Sequence, residues 1–509
     1  MRYKFDWVLF LSAFLATIIG IITLYTQENF VEDPPNRWLK QTFFLAFVLI
    51  VFFVFFRVHY QTLGNYSIGI YLVAIFLLLI TLVPFIGAEI KGARSWIRLG
   101  FINFQTSEFA KLASILLLAK FLEIKEKEMG QLSSLLLASL IFLLPILLIL
   151  VQPDLGGAMI LAPILLSMLF VGGADILHIT SIILFFGISL LIPLFIEYHN
   201  IILVDSLIER LYAIDKVQFI PAVNILKFQI WKFLETSKIP KEVQSIDLEY
   251  LNNLTNNVVL FTELKEIAYS VRYEKGGFLI KIFDNDTLLL IVSILLLVIA
   301  GILFFIRLTQ GIVYHYLRKY YIPLGVIGIS LLSAYLIHNS FSFKYHQVVR
   351  VTAFLNPDKF PRDLAYQIRA SKVAIGSGQL FGKGLQSAEM TTGKNPIVPE
   401  SFTDFIFASW AERTGFLGSI ILLILLSLVV IRGFYIAISA RDRFGSLLAS
   451  GITFLYLYHI VFNIGIEIGL MPVTGLPLSF VSYGGSHLLI CYIGLGILQS
   501  IYSRKYINI

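Results

Sequence analysis

The strongest constraint on this chain is its series of apolar runs, each about 17–22 residues long, which is the length a helix needs to cross a bilayer. One of them, "FLGSIILLILLSLVVI", begins at Phe416. Hydrocarbon offers no water to backbone amides, so only helices and closed barrels can span it. The runs do not alternate polar and apolar residues as barrel strands do. We therefore expect an all-α polytopic membrane protein, and the composition of 58% hydrophobic and 14% charged residues agrees with this.

The hydrophobic pattern predicts twelve membrane spans. They cover residues 7–25, 41–57, 66–86, 107–122, 130–151, 155–172, 176–198, 287–306, 321–337, 415–433, 445–467 and 485–502. If the N-terminus is cytoplasmic, the cytoplasmic segments collect most of the basic residues of the short loops, as the positive-inside rule requires. These residues are Arg2, Lys4, Arg57, Lys120, Lys125, Lys127, Arg307, Arg318, Lys319, Arg432, Arg441, Arg443, Arg504 and Lys505. Both termini are then cytoplasmic.

This topology divides the chain into five regions. They are the N-terminal spans in 1–198, a polar extracytoplasmic insertion in 199–286, two spans in 287–337, a large extracytoplasmic loop in 338–404 and the C-terminal spans in 405–509. The insertion has no metal-ligand spacing and no nucleotide loop. The net charge of +7 is scattered over short loops, so it does not indicate a nucleic-acid partner. The single cysteine, Cys491, lies in an apolar run and permits no intramolecular disulfide.

Two charged pairs lie at predicted outer ends of spans. Glu108 and Lys111 are three residues apart, which places them on one helix face. They are either an ion pair at a capped helix start or part of a functional site, because ionisable residues inside a membrane usually have a function. Arg94 and Arg98 flank Trp96 in "GARSWIRLG". They belong either to an interfacial anchor helix held by lipid head groups or to a site for an anionic lipid substrate.

Two aspartates stand at predicted helix starts. Asp154 lies in the tight turn "VQPDLGG", and Asp404 lies in "VPESFTDFIFASWAERTG". Either could be a helix N-cap, as could Thr403, or each could serve a site. Carboxylates and cations converge at the outer ends of several spans around long loops, which favours function. The glycines of "AIGSGQLFGKG" follow no predicted strand and lie on the wrong side of the membrane for nucleotides, so we exclude a phosphate loop.

Several ordered motifs resemble the SEDS family of bacterial peptidoglycan glycosyltransferases, which includes RodA, FtsW and SpoVE, and the RodA type most. The matching motifs are "GARSWIRLGFINFQTSEFAKL" at 92–112, "QPDLG" at 152–156, "RVTAFLNP" at 350–357, "YQIRASKVAIGSGQLFGKGL" at 366–385, "PESFTDFIFASWAERTG" at 399–415 and "NIGIEIGLMPVTGLPLSFVSYGGS" at 463–486. The chain departs from the family pattern by Phe402 in place of a histidine, Arg413 in place of a second glutamate, Ser479 and His487. The twelve predicted spans also exceed the usual ten of the family, and the excess falls near the insertion.

The resemblance implies a reaction on lipid II, a disaccharide-pentapeptide carried by undecaprenyl diphosphate. Asp404 matches the essential aspartate of the family and would be the base for the attacking sugar hydroxyl. The resemblance also implies a set of substrate-binding residues around it. They are Arg94, Arg98, Glu108, Lys111, Asp154, Arg350, Glu400 and Glu412. The arginines and Lys111 would offset diphosphate charge, and Glu108 and Asp154 would orient Lys111 and the sugars or help to hold a divalent cation such as Mg²⁺ or Mn²⁺.

The expected location is the bacterial inner or plasma membrane, among its lipids, with a class B penicillin-binding protein transpeptidase as partner. The expected role is glycan polymerisation during cell elongation and shape maintenance. Three alternatives remain open at this point: a division-type enzyme of the FtsW kind, a transporter that flips lipid II, and a non-catalytic scaffold of the elongation machinery.

Overall fold

The structure, a computed structural model, describes residues 4–28, 36–90, 93–99, 102–214, 285–310, 317–340, 354–355, 364–392 and 396–505. Fourteen α-helices lie in these ranges. They are α1 Trp7–Glu28, α2 Arg37–Arg57, α3 Tyr60–Asn65, α4 Ser67–Thr81, α5 Thr106–Ile124, α6 Leu132–Val151, α7 Leu155–Val171, α8 Ile176–Ile214, α9 Asp286–Gln310, α10 Arg318–Ser340, α11 Leu364–Ser377, α12 Ile406–Ser439, α13 Arg443–Glu467 and α14 Gly485–Arg504.

Every predicted span coincides with a helix. Within the described residues, nine helices are long and apolar enough to cross a membrane, and α4 and α7 are shorter apolar helices. The twelfth span is α5, whose apolar sequence is interrupted by Glu108 and Lys111. Outward-facing side chains are large and apolar along α2, where Phe43 is 71% and Ile50 is 66% exposed. Such surfaces suit contact with lipid tails. The prediction of a polytopic helical membrane protein is confirmed.

The segment before α5 forms strands and not the interfacial helix that was one interpretation of its sequence. Strands β1 Gly87–Ile90, β2 Ala93–Leu99 and β3 Ile102–Gln105 make an antiparallel sheet in the order β1-β2-β3. Trp96 pairs with Gln105 and Arg98 with Asn103 across β2 and β3. Because side chains alternate along a strand, Arg94, Trp96 and Arg98 share one face of β2. The anchor-helix alternative for the two arginines is therefore wrong.

The chain divides into two compact units. The first holds Met1–Ile179 and Asp358–Ile509, and the second holds Thr180–Pro357. In the first unit, α13 packs against α5, α7, α11, α12 and α14, which makes it a central helix. In the second unit, α9 packs on α10, and Ile192 and Ile196 of α8 form a small apolar cluster with Ala334. Most of the predicted insertion at 199–286 lies outside the described residues, apart from the end of α8.

Helix α12 changes direction sharply at Gly415, where the predicted span 415–433 begins. Gly415 has φ 66° and ψ −160°, so the helix consists of a first part before this residue and a long apolar part after it. A Cβ at Gly415 would lie 2.4 Å from the Gly382 backbone nitrogen, and one at Gly378 would lie 2.1 Å from the Ala411 carbonyl oxygen. The glycines of "AIGSGQLFGKG" thus allow this loop to pack closely on α12.

Candidate functional site

Asp404 lies in the turn that leads into α12, and its backbone is held by another helix. Its side chain is half-buried. The Asn463 side-chain amide of α13 donates to the Asp404 carbonyl oxygen at 2.8 Å and to the Leu476 carbonyl oxygen at 2.8 Å. The next residue, Phe405, is buried in an apolar cluster with Ile368, Ala374, Val398, Ala408, Ile466 and others. The backbone at 404 is thus fixed from two sides.

Asp404 does not cap the helix that it precedes. The N-cap position of α12 is Phe405, which offers no side-chain acceptor. The backbone N–H of Phe407 donates to the Glu467 carboxylate at 3.2 Å, and the Ala408 N–H donates to its second oxygen. A carboxylate is well suited to this place because helix N-termini carry unpaired N–H groups and partial positive charge. The N-cap alternative is therefore wrong for Asp404, and equally for Thr403, whose hydroxyl donates to the Glu400 carboxylate at 3.1 Å.

The segment between α13 and α14 connects Asp404 to Asp154. A Cβ on Gly475 would lie 3.7 Å from Oδ2 of Asp404, and one on Gly156 would lie 2.3 Å from the Thr474 carbonyl oxygen. The two neighbouring residues Thr474 and Gly475 therefore stand between the start of α7 and the start of α12. Gly475 has φ +76°, a backbone conformation that suits glycine.

The same segment is tied to the turn before α12 near its other end. The Ser482 hydroxyl donates to the Thr403 carbonyl oxygen at 2.6 Å, and the Tyr483 N–H donates to the Phe402 carbonyl oxygen at 3.0 Å. The Arg37 guanidinium lies 3.8 Å from the centre of the Phe402 ring, a cation–π contact. Burial raises the pKa of the Tyr483 hydroxyl, and Arg37 lowers it by less. Phe402 thus has a defined packing role in this chain.

Asp154 caps its own helix, which is one of the two roles that the sequence predicts for it. Its Oδ1 accepts from the Gly157 N–H at 2.9 Å at the start of α7. Its Oδ2 accepts from the Ser107 hydroxyl at 3.0 Å and from the Gln105 side-chain amide at 3.2 Å. Asp154 therefore joins the start of α7 to the start of α5, next to Glu108, and the capping alternative is confirmed.

Glu108 and Lys111 form a buried ion pair inside the bundle. Lys111 Nζ lies 2.6 Å from Glu108 Oε1 and 3.1 Å from His459 Nε2, and the other Glu108 oxygen lies 3.0 Å from His487 Nδ1. None of these residues is more than 6% exposed. His459 Nδ1 lies 3.0 Å from the Pro477 carbonyl oxygen. Since that oxygen can only accept, Nδ1 carries the proton and Nε2 accepts from the Lys111 ammonium.

Three of these side chains have the composition of a metal site. Glu108, His459 and His487 each offer a ligand atom, and these atoms lie within 4.8 Å of one another. Two imidazoles and one carboxylate suit a transition ion such as Zn²⁺ better than Mg²⁺, which prefers oxygen ligands. The Lys111 ammonium is bonded to two of the three groups and already supplies a positive charge there. At Asp154, both carboxylate oxygens accept hydrogen bonds from protein groups.

The remaining predicted residues lie in three different settings. Arg94 is 36% exposed and lies 3.4 Å from Glu89, and Arg98 is exposed on the same face of β2. Glu400 has φ 55° and its backbone oxygen accepts from the Phe405 N–H at 3.3 Å, in the turn that carries Asp404. Arg350 lies outside the described residues.

Glu412 is fully buried and organises the loop before α12 rather than facing an opening. Its carboxylate accepts from the N–H groups of Glu389 and Met390 at 3.1 and 3.0 Å, from the Thr391 hydroxyl at 2.7 Å, and from Lys383 at 3.1 Å. The neighbouring Arg413 is also buried. Its guanidinium donates to the Thr391 hydroxyl at 2.7 Å, to the Thr392 hydroxyl at 2.7 Å and to Ser409. Arg413 is thus integrated into the fold as a structural residue.

Sequence reasoning missed the contribution of α13. His459, Asn463 and Glu467 follow one another at intervals of four residues in "HIVFNIGIE", inside a span that otherwise reads as apolar. Such spacing puts all three on one helix face. Polar groups at this depth usually mark function, and this signal could have identified the face.

The family model of the FtsW, RodA and SpoVE cell cycle proteins matches residues 6–215 and 282–507. The peptidoglycan glycosyltransferase RodA of Treponema pallidum is 29% identical over 503 residues, which are 98% of this chain and 98% of that protein. The peptidoglycan glycosyltransferase MrdB of Escherichia coli K12 is 42% identical over 160 residues, or 31% of this chain and 43% of that protein. A chain solved in a peptidoglycan synthase complex that coordinates polymerization and crosslinking has a similar fold. It superposes with a TM-score of 0.57 at 21% identity, with all of both chains covered.

Proposed function

The chain belongs to the FtsW, RodA and SpoVE family of cell cycle proteins, and we propose that it is a RodA-type peptidoglycan glycosyltransferase that polymerises lipid II during cell elongation. The observation that carries the proposal is the turn at Asp404. This carboxylate is half-buried beside Gly475, while the N–H groups of the following helix are bound by Glu467 instead. A half-buried acidic side chain on a fixed turn is suited to proton transfer.

The reaction needs a base, a group that binds diphosphate and a path for the lipid. The 4-hydroxyl of the acceptor N-acetylglucosamine attacks C1 of the donor N-acetylmuramic acid, a C–O bond forms, and the bond from C1 to the polyprenyl diphosphate breaks. Asp404 takes the hydroxyl proton as the nucleophile attacks. The negative charge that develops on the leaving diphosphate is stabilised by positively charged donors.

Arg94, Arg98 and Arg350 are proposed to supply those donors. Arg94 and Arg98 lie on one face of β2, and guanidinium groups bind phosphate oxygens in a fork geometry. The Lys111 ammonium is buried and paired with the Glu108 carboxylate. These two residues are therefore proposed to influence Asp404 through the contacts of His459, and not to bind phosphate themselves. Asp154 holds the start of α7 beside Thr474 and Gly475, and Glu400 holds the turn that carries Asp404. Glu412 binds a backbone N–H group of the loop before α12.

Replacement of Asp404 tests the proposal. Asp404→Asn keeps size and polarity but removes the base, so glycan formation from purified lipid II should fall by about 10²–10⁴-fold. The matched control is Asp442→Asn, since Asp442 caps α13 at Gly445 and asparagine also caps helices. The control should polymerise at the wild-type rate. A fully active, normally expressed Asp404→Asn protein would falsify the base assignment, and wild-type protein that moves lipid II across vesicles without making glycan would establish the transporter instead.

The multi-pass protein is proposed to lie in the bacterial inner or plasma membrane with both termini in the cytoplasm. The support is a basic end of the bundle, where Arg432 binds Asp6 and an Arg504 nitrogen lies 2.8 Å from the Arg57 carbonyl oxygen. Basic residues favour the cytoplasmic side. A cysteine introduced next to Arg57 should resist membrane-impermeant thiol reagents in intact cells, whereas one next to Glu400 should react. The opposite pattern would reverse the orientation.

The proposed partner is a class B penicillin-binding protein, which would crosslink the glycan. The support is the related fold of a chain from a synthase complex that coordinates polymerization and crosslinking. Copurification of such a transpeptidase with the tagged protein from its native membrane is the expected result. Its absence under conditions that preserve wild-type polymerisation would argue for an enzyme that works alone.

A further inference from the structure

One face of α13 carries three buried polar side chains at four-residue intervals. His459, Asn463 and Glu467 are all 0% exposed. Four residues advance an α-helix by slightly more than one turn, about 6 Å, so the three lie in a row along the helix. A buried polar or charged group is costly unless it is hydrogen-bonded, so each of the three needs partners on the neighbouring elements.

All three side chains bind the two segments that meet at Asp404. His459 faces the Pro477 carbonyl oxygen at 3.0 Å. Asn463 donates to the carbonyl oxygens of Asp404 and Leu476, both at 2.8 Å. Glu467 accepts from the N–H groups of Phe407 and Ala408. The row therefore holds residues 404–408 on one side and residues 476–477 on the other.

We infer that Glu467 is a positioning residue for Asp404, because it caps α12 from a neighbouring helix and so fixes the turn that carries the Asp404 side chain. This inference rests on the proposed function. The unpaired N–H groups in the first turn of a helix attract the nearest acceptor. In the absence of Glu467 that acceptor is Asp404, two residues before the helix. Its carboxylate would turn towards the Phe407 N–H and away from the substrate hydroxyl.

The surroundings of Glu467 fix its direction. Its own carbonyl oxygen accepts from the Ser371 hydroxyl of α11 at 3.0 Å, so the end of α13 is tied to α11. Ile466, Ile368 and Phe405 belong to one buried apolar cluster under the turn. The N–H groups of Phe407 and Ala408 thus each have a fixed acceptor oxygen. The carboxylate therefore sets where the first turn of α12 begins, and with it the direction of residue 404.

Two variants of Glu467 separate the capping role from the space that the side chain fills. Glu467→Leu keeps volume but has no acceptor, and Glu467→Gln keeps one acceptor and places a donor at the other N–H. Because small misplacements of a catalytic group can cost about 10²-fold, kcat of Glu467→Leu should fall by roughly that factor while KM stays within about threefold. Glu467→Gln should lose about three- to tenfold, since it restores one of the two hydrogen bonds.

The matched control is Tyr456→Phe on the same helix. Tyr456 is equally buried and donates to the Cys491 carbonyl oxygen at 2.7 Å, away from the turn at Asp404. Hydrogen exchange gives a second readout that does not depend on turnover. The N–H groups of Phe407 and Ala408 should exchange faster in both Glu467 variants than in wild type, and at the wild-type rate in Tyr456→Phe, which should also keep the wild-type kcat.

The outcomes separate this inference from the proposed function. If wild-type protein makes no glycan, the proposed function falls, and exchange at Phe407 and Ala408 alone decides whether Glu467 is the cap. If wild type is active, an unchanged kcat or unchanged exchange in Glu467→Gln overturns the positioning role. That variant also decides the matter if Glu467→Leu fails to accumulate. An equal loss of kcat in Tyr456→Phe would show a general effect of disturbing α13, and would overturn it too.

Discussion

Helices α7 and α12 both begin next to an aspartate, yet they begin in different ways. At α7, Asp154 lies at the N-cap and accepts from the Gly157 N–H. At α12, the N–H groups of the first turn are bound by Glu467, which is 63 positions beyond Asp404 in the chain and belongs to α13. One helix start is held by its own segment and the other is held from outside.

This difference indicates what a site requires of its surroundings. Capping uses the oxygens of a carboxylate, so an aspartate that caps is less able to serve as a base. At α12 the stabilising contacts are made instead by Glu467, Asn463, Glu412 and Arg413. Pre-organisation by surrounding residues is the general condition for a catalytic side chain to keep a productive geometry.

The largest expected effect comes from removing a contact that holds the first turns of α12. Arg413→Met removes the guanidinium donor to the hydroxyls of Thr391 and Thr392 and a positive charge beside Glu412, which keeps its contact with Lys383. Breaking a buried charge network by removing one member costs on the order of 3–5 kcal/mol in the free energy of unfolding. Thermal unfolding of the purified protein in one detergent should show a midpoint many degrees lower.

The control for Arg413 is a cation in a solvated pair. Lys125→Met removes an ammonium 2.6 Å from Glu128, and both side chains are more than a third exposed, at 35% and 47%. Exposed pairs contribute little, so this midpoint should barely move. If the two variants unfold at the same temperature, α12 does not depend on outside contacts and the contrast with α7 disappears.

The intermediate effect concerns the cap at α7. Asp154→Ala removes the acceptor for Gly157 and leaves Ser107 and Gln105 without theirs, so the free energy of unfolding should fall by about 1–2 kcal/mol. Asp154→Asn should recover most of it because asparagine also caps. Asp404→Asn should leave the unfolding midpoint unchanged while lowering polymerisation by about 10²–10⁴-fold. A larger drop in the midpoint for Asp404→Asn than for Asp154→Ala would reverse the assignment of the two aspartates.

The spans and the cap at Asp154 were predictable because both follow from local sequence. About twenty apolar residues specify a crossing, and the Pro153–Asp154 turn is followed by glycines that fit a helix start. The strand β2 was missed, although Arg94, Trp96 and Arg98 alternate with Ser95 and Ile97, which is a period of two. An interfacial tryptophan between arginines suggested a membrane anchor more strongly than this short alternation suggested a sheet.

The cap of α12 could not be predicted from local sequence, because its acceptor is contributed by another helix. Sequence offers Asp404 and Thr403 as nearby caps, and the structure uses neither. The row His459, Asn463 and Glu467 was visible as a pattern, but its partners depend on the packing of α13 against α5 and α12. Motif resemblance identified Asp404, but only the structure shows which residue caps α12 in its place.

The smallest expected effect concerns a capping aspartate at the basic end of the bundle, where no part of the site lies. Asp442 caps α13 at Gly445 at 2.7 Å and also accepts from the Tyr60 hydroxyl. Burial raises the pKa of Tyr60, and Asp442 raises it further, so the hydroxyl remains a donor throughout the physiological pH range. Tyr60→Phe removes one bond but leaves the cap, so the free energy of unfolding should fall by about 1 kcal/mol. Polymerisation should stay at the wild-type rate across neutral pH. A loss of glycan synthesis in Tyr60→Phe larger than its lower stability explains would mean that Asp442, a capping aspartate, influences the reaction. The capping role would then no longer distinguish Asp442 from Asp404.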